Sequence, residues 1–289
     1  MSTMRVPGKS VWRTVKDQLF WGLCLLALAV IVVPSIWIVA GLLQQALPLL
    51  SWNLLTRTTD ELGLRNAILG TLVLSLGVLV IAGPVGVGAG LYLAEYASRR
   101  TSSTLRFFSE VLAGVPSIVV GYTGYVLLAV QLRWGYSLLG ALIALTALVT
   151  PYIAKTTEVS LRQVPTALRE GAVALGLPMH VTLRKVLLPP ALPGIVTGLV
   201  VAVAISTGET APLLYTAGFS PGNPTASLTG HPIGYLTYVI YESIQLPGAR
   251  QHQLANAAAA VTLILLIVLI AIGRVFAYQS AKRTARMNV

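Results

Sequence analysis

The sequence has few charged residues and almost no cysteine. Of its 289 residues only 10% are charged, whereas a soluble domain carries about 25%. A single cysteine, Cys24, excludes an internal disulfide, and three scattered histidines have no metal-ligand spacing, so no metal site is expected. A Gly-x-x-x-x-Gly-Lys-Ser/Thr loop for nucleotide phosphates is also missing, so we expect no ATP hydrolysis by this chain itself.

Apolar and basic residues are what the sequence has in excess. Apolar residues make up 55%, and the mean hydropathy is +0.79, which leaves too few polar side chains to cover a globule in water. These values predict an all-α integral membrane protein in contact with lipid. The net charge of +11 is also typical of nucleic-acid binding. However, the basic residues form short clusters between apolar runs, which favours membrane topology as their cause and excludes nucleic acid as a partner.

Six apolar runs are long enough to cross about 30 Å of hydrocarbon as helices. They are Phe20–Leu43, the intervals between Arg65 and Glu95 and between Glu110 and Arg133, Trp134–Ala154, Leu192–Leu214, and the interval between Arg250 and Arg274. Basic residues precede the first run, as in a signal peptide. Its 24 residues exceed the usual signal core of about 7–15, and no small-x-small cleavage site follows, so we expect a retained helix.

The basic residues fall mostly on one side of these six spans. Sixteen of the 20 lie in the two tails, in the 95–110 loop and in the 155–190 loop. Because basic residues are enriched in cytoplasmic loops, both termini are predicted to be cytoplasmic. We therefore predict a cytoplasmic tail at 1–19, a six-helix membrane domain at 20–277 and a second cytoplasmic tail at 278–289.

Glycine recurs through the second span, at positions 70, 77, 83, 86, 88 and 90. Small residues let helices approach closely in lipid, where no hydrophobic force drives one helix against another. The pattern indicates either close packing in a bundle or a helix that slides or bends.

The segment 215–256 is predicted to lie on the outer side. Turn residues open it, and Ile233, Leu236, Ile240 and Ile244 then recur at helical spacing. We expect a short surface helix, which contacts another protein, closes the outer mouth or simply packs against the bundle.

The cytoplasmic loop 155–190 has the most informative pattern. It reads Glu170-Gly171-Ala172, then Gly176, then Val186-Leu187-Leu188-Pro189. Small residues at 171, 172 and 174 give a helix a flat face that fits another protein's groove. Gly176 allows a sharp turn, and Pro189 with Pro190 is expected to end the next helix before the membrane. Composition alone also suits a hairpin on the lipid headgroups, because Arg162, Arg169, Arg184 and Lys185 are basic.

This spaced pattern resembles the coupling loop of ABC-importer permeases, which reads Glu-Ala-Ala, three residues, Gly, nine residues, Ile-x-Leu-Pro. Gly171 stands in place of the first Ala, and Val186 stands in place of Ile. Three other runs are similar to phosphate-importer permeases of the PstA type, in which Arg usually replaces Lys155. They are Gly114–Gly121, Gly208–Leu214 with the following Tyr215-Thr216-Ala217, and Lys155-Thr156-Thr157-Glu158.

The resemblance implies the type I importer permease fold, with six transmembrane helices and a coupling-helix loop. It implies that the ATPase-coupling residues are Glu170, Gly171, Ala172, Leu175 and Gly176. The implied partners are a PstC-like permease, two ATP-binding subunits that hold ATP and Mg, and a periplasmic or lipid-anchored phosphate-binding protein. The chain itself would hold no cofactor and would lie in the bacterial plasma membrane, as half of a phosphate pathway.

Glu209 is the only acidic residue inside a predicted span, and an ionisable group within a membrane is a candidate for function. A phosphate pathway needs hydroxyl and backbone donors, a positive charge and one carboxylate that accepts the remaining phosphate proton. The candidate pathway residues are Glu209, Thr210, Ser206, Lys155, Glu158 and Ser117. The alternative is that Glu209 forms a structural ion pair or holds a proton.

One position departs from the family. Phosphate permeases usually carry Arg four residues before this Glu, and here the residue is Ile205. Lys155 or Arg162 on the adjoining helix, or an Arg of the second permease, could supply the missing charge. Lys155 and Glu158 share a helix face, either as a solvated pair or as part of the inner exit.

Other functions remain open at this point. Within the ABC importers, the substrate could be another oxyanion such as molybdate or sulfate. A proton-driven secondary transporter would use Glu209, but it leaves the coupling loop unexplained, and no internal repeat relates residues 20–154 to 192–277. An intramembrane enzyme is disfavoured, because the spans contain no Ser/His or paired-Asp arrangement.

Overall fold

The computed structural model describes residues 11–287, and every regular element within that range is helical. The all-α prediction is therefore confirmed. The predicted tails continue the first and last helices as far as they are described. Residues 1–10, with Arg5 and Lys9, and residues 288–289 lie outside the described part, and the domain boundaries stay a prediction.

The helices follow one another with mostly short connections. They are α1 (Val11–Ala46), α2 (Trp52–Thr56), α3 (Arg65–Glu95), α4 (Arg99–Gly114), α5 (Ser117–Gly124), α6 (Leu138–Arg162), α7 (Thr166–Ala174), α8 (Met179–Val181), α9 (Leu188–Gly208), α10 (Ala211–Thr216), α11 (Leu236–Gln245) and α12 (Ala249–Met287). The longest connection joins α10 to α11. A π-helical turn at Tyr125–Gln131 extends α5, and another at Thr182–Leu187 joins α8 to α9.

Five helices are long and apolar enough to cross a membrane. They are Val15–Leu49, Arg65–Glu95, Leu138–Arg162, Met179–Gly208 and Ala249–Gln279. A sixth crossing is made if the bent pair Arg99–Gly114 and Ser117–Gln131 counts as one span. On that count the six-span prediction is confirmed, and the first run is one unbroken helix.

The third predicted span is not one helix. α4 and α5 meet at an angle of 94°. The cause is local: Pro116 disfavours the helical conformation of the residue before it, and Val115 is extended with ψ of 129°. The part of the predicted span up to Gly114 therefore belongs to α4. This helix does not run in the same direction as α5, which forms the rest of the span.

The loop predicted at 155–190 is much shorter than expected. α6 continues to Arg162, beyond the predicted end of the fourth span at Ala154. The prediction that Pro189 and Pro190 end a helix is wrong, because one apolar helix runs from Met179 to Gly208. A proline in a helix clashes with the carbonyl four residues earlier. For Pro189 and Pro190 these carbonyls belong to Lys185 and Val186, which lie in the wide π-helical turn Thr182–Leu187, so the helix can continue past the two prolines.

The fifth predicted span ends earlier than Leu214. α9 stops at Gly208, Glu209 is extended with ψ of 135°, and α10 starts at Ala211. Continuing α9 would bring the ring of Pro212 against the carbonyl of Gly208, four residues earlier. Glu209 thus lies at a break between two helices and not within a helix.

The glycines of α3 pack that helix against its neighbours. A Cβ at Gly86 would lie 2.6 Å from Ile153 Cβ, and a Cβ at Gly90 would lie 2.6 Å from Thr157 Cβ. Both contacts are to α6, so the glycines allow the two backbones to approach closely. Of the two readings of the glycine pattern, the structure supports close packing.

The short helix expected in 215–256 is α11. Ile233 and Leu236 are buried, Ile240 is half-buried and Ile244 is exposed. The helix packs against α12 and α3, so most of the predicted apolar stripe is used for packing inside the chain. α12 also contacts α1, where the Asn256 amide donates to Gln45 Oε1 at 2.8 Å.

Candidate functional site

A cavity of about 860 Å³ lies between α4 and α6, beside the end of α9. Its charged lining consists of Arg106, Lys155, Arg162, Glu110, Glu158 and Glu209. The two residues from α4 are four apart, and the three from α6 are spaced by three and four. Because such spacings place side chains on one helix face, two charged stripes meet across the cavity.

Glu158 is the centre of one charge cluster, with 6% of its surface exposed. It accepts hydrogen bonds from Arg106 Nε at 3.0 and 3.3 Å and also from Arg106 Nη2. Arg162 Nε donates to the same carboxylate at 2.9 Å, and Arg162 Nη2 donates to the Leu93 carbonyl at 3.2 Å. These bonds connect α3, α4 and α6.

Lys155 forms a separate and more solvated pair. Its Nζ lies 3.3 Å from Glu110 Oε1, and both side chains are largely exposed. The possibility of a Lys155–Glu158 pair is therefore wrong, because each of the two binds a partner on α4 instead. Both residues line the cavity, as expected of residues near an exit, while their role in transport stays a prediction.

Glu209 reaches the cavity from the break after α9. Ser117, the first residue of α5, lines the same cavity. The Glu209 carbonyl accepts a hydrogen bond from Thr237 Oγ1 of α11 at 2.9 Å, which holds the extended backbone in place.

No basic side chain of the described residues forms an ion pair with Glu209. Ile205, one turn earlier, lines the cavity with an apolar side chain. The expectation that Lys155 or Arg162 replaces the missing Arg is wrong, because Glu110 and Glu158 already bind them. Among the described residues, the neighbours of Glu209 in the cavity lining therefore include the polar Ser117 and the apolar Ile205.

Four of the six candidate pathway residues come together at this cavity, namely Glu209, Ser117, Lys155 and Glu158. Ser206 is buried away from it and donates to the Val203 carbonyl at 2.9 Å. Thr210 lines a separate hollow beside α11 and α12. A side chain next to Glu209 in sequence can face elsewhere, because the chain changes direction at Glu209.

The predicted coupling helix is α7, and it ends in a turn at Gly176, as predicted. Gly176 has φ of +65°. Its amide donates to Val173 O at 2.9 Å, and the amide of Leu177 donates to Ala172 O at 3.1 Å. This pair of bonds is the Schellman motif, which terminates helices at a left-handed residue.

The surface of α7 differs in part from the expected flat face. Glu170 and Gly171 are exposed, but Ala172 is buried inside the chain. Val173 and Leu175 are 77% and 78% exposed. A partner's groove would therefore meet two large apolar side chains in addition to the small residues.

Sequence analysis missed the partners of the charged residues. The i,i+4 spacing of Arg106 and Glu110 indicates a shared helix face, but it does not indicate which residues of another helix they meet. Arg169 was assigned only to a basic surface, yet its Nη1 donates to Glu95 at 2.6 and 2.8 Å. Residues 74 positions apart give no local signal of pairing.

The model of the family described as "Binding-protein-dependent transport system inner membrane component" matches residues 86–286. This chain belongs to that family. It is a multi-pass inner membrane permease, and its coupling loop and cavity both lie within the matched residues.

The relatives of this permease place it among the PstA permeases. "Phosphate transport system permease protein PstA 2" of Mycobacterium tuberculosis and of Mycobacterium bovis are each 46% identical over 287 residues, which are 98% of this chain and 95% of the relative. The PstA protein of Xylella fastidiosa (strain Temecula1) is 36% identical over 238 residues, 80% of this chain and 82% of its own.

Solved structures confirm the importer fold of the permease. An inward-facing MetNI methionine ABC transporter matches with a TM-score of 0.61 at 21% identity, over 80% of this chain and 99% of its own. A bacterial alginate ABC transporter, in complex with its pentasaccharide-bound periplasmic protein, matches with a TM-score of 0.64 at 16% identity, over 95% and 99%.

Proposed function

We propose that this chain is the permease subunit of an ATP-driven importer of inorganic phosphate and forms half of its pathway. The observation that carries the proposal is the cavity with facing charged stripes, in a chain 46% identical to phosphate permeases over nearly their whole length. The chain supplies the path and the coupling surface, and it performs no catalysis itself.

Phosphate chemistry suits the groups in the cavity. Near neutral pH, phosphate is a mono- or dianion that retains a proton. Arg106 and Arg162 present guanidinium groups, which bind oxyanions in a planar, two-point manner. Lys155 offers a mobile ammonium group close by. Glu209 is placed to accept a hydrogen bond from the proton that distinguishes phosphate from sulfate, and Ser117 offers a hydroxyl in the same lining.

The coupling surface suits a partner ATPase. Glu170, Gly171, Val173 and Leu175 are exposed on a short helix with a defined end, a form that fits a groove in another protein. Two copies of this partner ATPase would bind ATP and Mg. A PstC-like permease would complete the path and could provide the Arg that is absent at position 205 of this chain. An external phosphate-binding protein would deliver the substrate.

The orientation of the chain in the membrane follows from the distribution of its basic residues. Most basic residues lie at the coupling-loop end of the helices, so that end and both termini are assigned to the cytoplasm. A fluorescent protein at the C-terminus should fluoresce and an alkaline phosphatase fusion should be inactive. The opposite result would contradict this orientation.

The deciding experiment is phosphate uptake into proteoliposomes that contain the four expected components. Uptake should require ATP and stop with Glu170→Lys, while phosphate binding by the external protein is unchanged. Uptake without the ATPase would instead favour a proton-driven transporter. Excess sulfate or molybdate should not compete; if either does and is itself transported, the substrate is another oxyanion.

A further inference from the structure

A charge pair outside the cavity, with a buried carboxylate and a partly exposed guanidinium, joins the coupling helix to the second span. Glu95 is the last residue of α3, and its side chain is 5% exposed. Both of its carboxylate oxygens accept hydrogen bonds from Arg169 Nη1, at 2.8 and 2.6 Å. Arg169 lies in the middle of α7, so a charge-assisted contact connects α7 to α3.

The same arginine also reaches a third helix. Arg169 Nη2 donates to the Leu161 carbonyl at 2.7 Å, and Arg162 of α6 donates to the Leu93 carbonyl at 3.2 Å. Both carbonyls lie in the last turn of their helices, where cations are favoured. Arg169 therefore ties α7 to the ends of α3 and α6, and Arg162 ties α6 to α3.

Apolar packing already holds α7 to the chain, through the buried Ala172 and the turn Thr182–Leu187. A buried ion pair adds little net stability over an apolar contact, because the charges lose their hydration. The pair instead restricts relative motion, because the hydrogen bonds from one guanidinium resist both sliding and separation of α7 and α3.

α3 continues from this contact to the neighbourhood of Glu209. The hydroxyls of Ser75 and Thr207 are buried and 2.9 Å apart, and Thr207 lies two residues before Glu209. Between Ser75 and Glu95, α3 is one helix of about 30 Å. A displacement of α7 can therefore reach the cavity through α3 as well as through α6.

We propose that the Glu95–Arg169 pair is the contact through which the coupling helix moves α3 during transport. This inference rests on the proposed function, since it assigns a task within the same importer. Neither side chain lines the cavity, so both are positioning residues. Losing the pair should separate ATP hydrolysis from transport and leave the subunits assembled.

The test measures phosphate imported per ATP hydrolysed in proteoliposomes that contain the complete complex. Glu95→Gln and Arg169→Gln should each lower this ratio by about 3- to 30-fold, the usual range for residues that carry coupling. The double variant should be no worse than either single one, because the two residues act as a unit. The exposed Glu242→Gln is the control and should keep the normal ratio.

The outcomes separate the two proposals. If the wild-type complex shows no ATP-dependent phosphate uptake, the proposed function is wrong, and this inference falls with it. If wild-type uptake is normal and Glu95→Gln keeps the normal ratio, only the role of the pair is wrong. Additive losses in the double variant would also contradict it.

A second variant covers the case in which Glu95→Gln does not assemble. Cysteines at positions 95 and 169, in a Cys24→Ser background, can be joined by a short bifunctional thiol reagent with a reducible link. Joining them should restore the ratio, and reduction should lower it again. A joined complex that stays uncoupled, or a cysteine pair that never assembles, would show that the contact is only structural.

Discussion

The guanidinium of Arg106 donates to both carboxylate oxygens of Glu158 and ties α4 to α6 across the cavity. Arg162 donates to the same carboxylate, so one buried acid compensates two guanidinium groups. This end of the cavity therefore has an excess of positive charge. An anion that arrives there can share the two arginines with Glu158, or replace it as their partner.

Removing that carboxylate should stop transport without unfolding the protein. Glu158→Gln keeps the size of the side chain but leaves two arginines uncompensated, so an anion would be held too tightly to leave. The stability loss should be about 1 kcal/mol, because both arginines are half-exposed. Phosphate uptake and the unfolding temperature in detergent test this. Glu158→Asp, which retains the charge, should keep part of the uptake, and normal uptake by Glu158→Gln would contradict the prediction.

The Lys155–Glu110 pair allows the charge of Lys155 to be tested apart from the pairing. Lys155→Gln removes both, and we expect it to abolish phosphate uptake. Glu110→Gln removes only the pairing, and uptake should stay close to wild type because both side chains are already solvated. Membrane levels of both variants serve as the control. Equal losses would assign the effect to the pair, and normal uptake by Lys155→Gln would remove this residue from the pathway.

The left-handed conformation of Gly176 predicts opposite effects for two glycines of the coupling segment. Neither Gly176 nor Gly171 has an atom within 4 Å of an added Cβ, so backbone conformation alone separates them. Gly176→Ala should cost about 1–2 kcal/mol, whereas Gly171→Ala, inside α7, should gain up to about 1 kcal/mol. Unfolding temperatures and binding of the purified ATPase measure this. Equal effects of the two changes would contradict the role of the turn.

Two glycines of α3 test the close packing against α6. Gly90→Ala would place a methyl group 2.6 Å from Thr157 Cβ, an overlap that should cost about 1–3 kcal/mol. Gly88 has open space around its Cβ position, so Gly88→Ala should be neutral or stabilising. The measurement is the unfolding temperature of the purified permease. A loss at Gly88 equal to that at Gly90 would point to helix flexibility instead of packing.

Proline was the least reliable of the local signals. Pro189 and Pro190 were expected to end a helix, but a wide π-helical turn precedes them and the helix continues. Pro116 lies inside an apolar run that predicts one straight span, yet the chain bends by 94° at this proline. Whether a proline ends a helix depends on the geometry of the preceding turn, which neighbouring helices influence and sequence spacing does not reveal.

The sequence by itself determined the number and approximate position of the membrane spans, the coupling segment and its turn at Gly176. Each depends on a local property, namely the length of an apolar run, the spacing of a motif or the conformational freedom of glycine. Only the tertiary structure decided which charges meet. Lys155 and Glu158 looked like a pair on one helix, but Lys155 binds Glu110 of α4, and Glu158 binds Arg106 of α4 as well as Arg162 of its own helix. Among the described residues, no basic side chain forms an ion pair with Glu209. Ion pairs between helices depend on how helix faces are rotated against one another, and the packing of α3, α4, α6 and α9 determines that rotation.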